Sequence, residues 1–217
     1  MRGFAAAVGC LAIGAVLWTA SASASPIGLI EEFDVGGSVV SLAPGPDGNV
    51  WFTFDRDFNS PEGGAIGRIT SRGKVTKFTA GLDRRSEPGN IVVGADGNLW
   101  FGDYGKKPAI GRVTSQGTIT EFRAGLDQAS KPGSIVLGPD GNLWFTDVGK
   151  SPAIGRITPG GEITEFRAGL DPKSVPSGIV VGADGNLWFG NLSSTAAVGR
   201  VTPDGAITEF GPGPPPG

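Results

Sequence analysis

The 217-residue chain has no histidine at all, and its one cysteine is Cys10. Without histidine it lacks the only side chain that ordinarily changes charge near neutral pH. A lone cysteine cannot form an internal disulfide, and Cys10 falls in a stretch expected to be cleaved away. The mature chain is therefore expected to carry no disulfide and no thiolate chemistry. Charge is sparse too: 18 Lys and Arg against 21 Asp and Glu give a net charge of −3. The basic residues are scattered, so no stripe exists to follow a phosphate backbone, and nucleic acid is not an expected partner.

Long apolar runs are confined to the start. Arg2, the apolar stretch 4–19 and Ala22-Ser23-Ala24 have the layout of a signal peptide over residues 1–24. A membrane anchor fits less well, because the run is near the minimum spanning length and no charged stop-transfer flank follows. Lipidation at Cys10 fits poorly with Ala7-Val8-Gly9 before it. The mature protein is expected to be exported, secreted or periplasmic, with no membrane attachment after cleavage.

Glycine and proline are plentiful, at 38 and 17 residues. Such a composition without periodicity would suggest disorder, but here most of them recur at fixed places. The organising motif is Asp140-Gly141-Asn142-Leu143-Trp144-Phe145, repeated nearly letter for letter from Asp47, Asp96 and Asp184. Asp-Gly suits a tight hairpin turn with positive φ, and Leu-Trp-Phe suits a strand covered on both faces. An Ile/Val-Gly-Arg element starts at 66, 110, 154 and 198, and a strand-ending phenylalanine falls at 78, 122, 166 and 210. Both series advance by 44. Four short strands per 44-residue unit are the signature of β-propeller blades.

The spacing predicts an all-β fold of four-stranded antiparallel blades at residues 39–78, 89–122, 133–166 and 177–210. An extra strand is expected at 29–33, within a repeat region spanning 25–210, and a Gly/Pro-rich tail at 211–217. Four blades predict an incomplete ring, or one closed by association with another copy. Trp51, Trp100, Trp144 and Trp188 are expected to pack between blades rather than stack on a ligand. The third-strand Arg and fourth-strand Glu, such as Arg200 and Glu209, would face each other as an exposed pair across a two-residue turn. A three-residue turn would undo that pairing.

Links between blades and second-to-third-strand loops should share one face, where ligands usually bind. Asp103 and Asp147 recur there at equivalent positions, and converging carboxylates could hold a hard cation. The competing reading is that each caps its own loop.

Gly-Pro-Asp-Gly-Asn-Leu-Trp-Phe-Thr, Ile-Gly-Arg-Ile-Thr and Ile-Thr-Glu-Phe, in that order, resemble the streptogramin B lyases (virginiamycin B lyases) from Leu29 to Phe210. The resemblance implies a seven-bladed propeller, and an enzyme that opens an ester-linked cyclic antibiotic by elimination. It also implies histidines just after the Pro that leads into the first strand, and magnesium held by glutamates ending the Trp-Phe-Thr-Glu strand. Those histidine sites fall on Gly89, Gly133 and Ser177, with Val40 in blade one. The glutamate sites fall on Phe54, Asp103, Asp147 and Asn191. General-base catalysis needs a group titrating near the working pH, and no matching position supplies one. The expectation is a non-catalytic binding or scaffold propeller with no cofactor, engaging a small molecule, glycan or protein on its loop face. The alternative is a carbon–oxygen lyase or other metal-dependent propeller enzyme acting on a cyclic peptide ester with Mg2+.

Overall fold

The computed structural model describes residues 30–54, 63–193 and 197–211. Residues 1–29, 55–62, 194–196 and 212–217 lie outside them, and with these the expected signal peptide and most of the expected Gly/Pro tail. Residues up to Phe33 form a unit of their own, and its described part, Ile30–Phe33, carries no strand. The strand expected at 29–33 is therefore not seen in its described residues.

From Asp34 onward the chain builds four antiparallel sheets of four strands, each in simple sequence order. Blade one is β1 (Val39–Pro44), β2 (Val50–Phe54), β3 (Ala65–Ile69) and β4 (Val75–Phe78). Blade two is β5 (Pro88–Val93), β6 (Leu99–Asp103), β7 (Ala109–Val113) and β8 (Ile119–Phe122). Blade three is β9 (Pro132–Leu137), β10 (Leu143–Asp147), β11 (Ala153–Ile157) and β12 (Ile163–Phe166). Blade four is β13 (Pro176–Val181), β14 (Leu187–Asn191), β15 (Ala197–Val201) and β16 (Ile207–Phe210). Inner strands lie side by side, β1 against β5, β5 against β9 and β9 against β13, while β13 and β1 have no comparable contact. The blades form an arc, not a ring. No described helix is long and apolar enough to cross a membrane.

The Asp-Gly turn differs from its expected form. Among the described residues only glycine takes positive φ, 77° at Gly141. Gly138 N–H donates to Asn142 O, so three residues, not two, cross the hairpin. That arrangement puts the left-handed residue last, where glycine avoids a Cβ clash. The aspartate has another task. Asp140 Oδ1 accepts from the Trp144 indole N–H at 3.0 Å, and Oδ2 accepts from the Asn142 amide at 2.8 Å. The same pair forms at Asp47–Trp51, Asp96–Trp100 and Asp184–Trp188. These donors lower the carboxyls; Asp184, fully exposed, is held down to about 2 by Asn186 and Trp188.

The outer hairpin is also a three-residue turn, with Thr202 N–H donating to Ala206 O. Arg200 therefore pairs in register with Thr208, and Glu209 with Gly199. The expected Arg–Glu pairing is undone in blades two, three and four, and blade one has Lys77 in place of the Glu. Each arginine instead lies over its blade's Trp and Phe, as Arg156 does at 5.6 Å and 5.4 Å from the rings of Trp144 and Phe166. Those two rings stack at 5.4 Å. Arg156 Nη1 then donates to Pro203 O in the next blade, as Arg68 does to Ser115 O and Arg112 to Pro159 O.

One side of each blade thus offers a Trp–Phe–Arg face, and the next blade covers it with its own apolar face. Trp144, Ile154 and Phe166 meet Ile179, Leu187 and Phe189 in one such interface, and two like it join blades one, two and three. Trp51, Trp100 and Trp144 are fully buried this way. The glycine of each Ile/Val-Gly-Arg element lets a ring close over the backbone: a Cβ at Gly155 would fall inside the Phe145 ring.

Candidate functional site

The links and the second-to-third-strand loops do share one face, and backbone hydrogen bonds join them. Tyr104 N–H donates to Glu87 O, Val148 N–H to Lys131 O, and Leu192 N–H to Val175 O. The residue ending each second strand sits directly beneath. Asp103 Oδ1 accepts from the N–H groups of Glu87 and Gly105 at 2.8 and 2.9 Å. Asp147 Oδ1 accepts from Lys131 and Gly149, both at 2.7 Å. Asn191 Oδ1 does the same with Val175 and Ser193, at 2.9 and 3.0 Å. Acid or amide, this side chain clasps link to loop. Asp103 and Asp147 each serve their own blade, and among the described residues no group of three or more metal-ligating side chains occurs.

The second oxygen of each aspartate is the unusual feature. Oδ2 of Asp103 and of Asp147 are buried with no hydrogen-bond donor. Each faces a glutamate of the fourth strand, Glu121 or Glu165, whose side chain is 5 % or 4 % exposed. Burial, reinforced by the facing Asp147 carboxyl and opposed by Arg167, pushes Glu165 up to about 7. Burial raises Glu121 in the same way, with Arg123 opposing and Asp103 adding. Two carboxyls that face each other in a buried site make a second negative charge costly. Blade four resolves the conflict differently: Asn191 Nδ2 donates to Glu209 Oε1 at 2.7 Å. Blade one abandons the pair, with Phe54 and Lys77 in its place and the Lys77 ammonium 4.2 Å from the Phe54 ring.

These glutamates were expected to be exposed partners of arginine. The partners recur 18 residues apart, at 103→121, 147→165 and 191→209, but that interval follows from the repeat and carried no sign of burial. The serines of the Ser-x-Pro segments join the same cluster. Ser86, Ser130 and Ser174 are buried and donate to Glu121, Glu165 and Glu209.

Gly89, Gly133, Ser177 and Val40 lie at or beside irregularities in the first strands, where strand pairing slips. Bulges of this kind re-aim side chains next to active sites. No side chain here can take a proton. At Gly89 a Cβ would stand 3.2 Å from the Tyr104 ring, so Tyr104 crowds the space a longer residue would need. Outside these positions, an open groove of about 510 Å3 runs between blades two and three, lined by Tyr104, Lys106, Ser130, Lys131, Val148 and Lys150 among others.

Comparison with known proteins gives the lineage. A streptogramin B lyase structure is 30 % identical with a TM-score of 0.69, over 85 % of this chain and 57 % of that one. This chain thus spans little more than half the length of that relative. A gluconolactonase from Xanthomonas campestris (16 % identical, TM-score 0.60, 82 % of this chain and 63 % of that one) shares the fold. So does a Lactobacillus plantarum protein (18 %, TM-score 0.59, 85 % and 57 %). The search of curated proteins finds no match. Residues 11–213 match the virginiamycin B lyase family, and this chain is a member of it.

Proposed function

We propose that this family member is an exported, non-catalytic binding or scaffold propeller that engages a small molecule, glycan or protein on its link face. The observation that carries the reading is what stands at the family's reactive positions. Gly89, Gly133, Ser177 and Val40 offer no proton acceptor, while Asp103 and Asp147 spend one oxygen on backbone N–H groups and turn the other towards a buried glutamate. Glu165 titrates near neutrality, as a general base should, yet its side chain is 4 % exposed and engaged by Asp147, Ser130 and Arg167. The groove beside Tyr104 offers a ring, a hydroxyl and lysine ammonium groups, a set that suits a polar ligand carrying negative charge.

Incubation of the purified chain with a streptogramin B antibiotic and magnesium tests this reading. No ring-opened product beyond a protein-free control is expected, and calorimetric titration with magnesium should show no saturable heat. Turnover above that control overturns the proposal in favour of a carbon–oxygen lyase.

A further inference from the structure

Blade four presents to solvent a face that every other blade buries. In blades one to three this face comprises a Trp, its stacked Phe, the Arg over both rings and the Ile two positions before that Arg. Ile66, Ile110 and Ile154 are fully buried there, whereas their equivalent Val198 is 51 % exposed. Val180, beside Trp188 on β13, is 59 % exposed. Trp188 and Phe210 still stack at 5.7 Å, with Arg200 over both. The face is fully assembled.

The three internal interfaces show what covers it. The next blade supplies an Ile, a Leu and a Phe: Ile91, Leu99 and Phe101, then Ile135, Leu143 and Phe145, then Ile179, Leu187 and Phe189. The equivalents in blade one are Leu42, Val50 and Phe52. Leu42 is 64 % exposed, although Ile91, Ile135 and Ile179 are all buried. Val35 already packs on this side of blade one, as Leu82, Leu126 and Leu170 pack at the internal interfaces. Blade one therefore carries the complementary half of the same joint.

The polar register agrees. Each arginine in blades one to three donates to the carbonyl 47 residues on, in the following blade's outer turn. The corresponding carbonyl in blade one is that of Ser71. Each Phe of the face rests against the glycine of that turn, Phe78 on Gly117, Phe122 on Gly161 and Phe166 on Gly205. Blade one has Gly73 there, with φ of 77°.

We propose that the blade-four face receives blade one of a second copy of this chain, head to tail, repeating the internal joint between copies. Val180, Val198, Trp188 and Phe210 of one copy would cover Leu42 and Val50 of the next, beside Phe52, which its own blade already buries. Arg200 would donate to Ser71 O, and Phe210 would seat on Gly73. Such a contact is heterologous: two different faces meet, so each copy keeps one of each free until a ring closes. Contiguous exposed apolar surface of this kind marks an interaction site.

Two variants separate this joint from any other association. Val180→Asp should disable the blade-four face and Leu42→Asp the blade-one face; both positions are exposed, so circular dichroism should show the fold intact. Light scattering should find the wild-type chain at no less than double the single-chain mass, and each variant alone at the single-chain mass. Mixed, the two variants retain one good face of each kind and should form a one-to-one pair. A wild-type chain that stays single, a variant that still associates alone, or a mixture that stays single would each overturn the proposal.

Discussion

The side-chain amide of Asn191 donates to Glu209 Oε1 at 2.7 Å, filling the place where Asp147 meets Glu165 in the neighbouring blade. The amide supplies a hydrogen that the aspartate lacks. Blades two and three offer no such hydrogen, and there burial and the facing aspartate raise Glu121 and Glu165.

This predicts a pH dependence with a definite sign. Glu165 rises from 4.5 to about 7 on folding, so the folded state holds the proton more tightly. The stabilisation is fully present below 4.5 and is lost as pH climbs through about 7. Glu121 shifts in the same direction and adds to the effect. At about 1.4 kcal/mol per pKa unit, urea unfolding should lose on the order of 1–3 kcal/mol across this window. Asp147→Asn should flatten the blade-three share, because an amide replaces the second carboxyl that faces Glu165. An unchanged slope in the variant would exclude Asp147 as a cause of the Glu165 shift.

Trp144→Ala and Trp188→Ala should differ although their motifs match. Trp144 is fully buried between blades and its loss should cost about 3–5 kcal/mol. Trp188 lies on the open face and should cost clearly less. The comparison belongs in a Val180→Asp background, where no second copy can cover that face. Equal losses of urea midpoint would contradict the packing described for blade four.

Gly155→Ala adds a single methyl group where the Phe145 ring already sits. The ring is fully buried and cannot move aside. Overpacking should cost about 1–3 kcal/mol or more, read as a fall in melting temperature. A variant as stable as the wild type would show that the blade can open at this point.

Asp140→Ala removes the acceptor of the Trp144 indole N–H and of two donors on Asn142. Leaving a part-buried donor unpaired should cost about 1–3 kcal/mol. Chemical denaturation checks the value, and a neutral result would reduce the aspartate to a turn former.

Much of the blade was legible because its causes are local. The 44-residue period, the four short strands and the glycine turns follow from residues a few positions apart, and all sixteen strands fall where the repeat puts them. The turns were less legible in detail. Asp-Gly reads as a two-residue hairpin, but Asp140 stays at negative φ to hold Trp144 four residues on. One extra turn residue in the outer hairpin then separated Arg200 from Glu209. A register shift of one residue sends every side chain to the opposite face.

The sequence by itself determined the repeat, the blade type, the family and the absence of a histidine base, because these depend on residue identity and short-range spacing. Only the tertiary structure decided that Glu165 is buried against Asp147, that Arg156 reaches the next blade, and that blade four keeps an open Trp–Arg–Phe face. Those outcomes depend on partners 18 to 47 residues away, brought together when one blade packs on another. Burial and the raised Glu165 carboxyl are products of that packing, and no segment possesses them before its neighbour arrives.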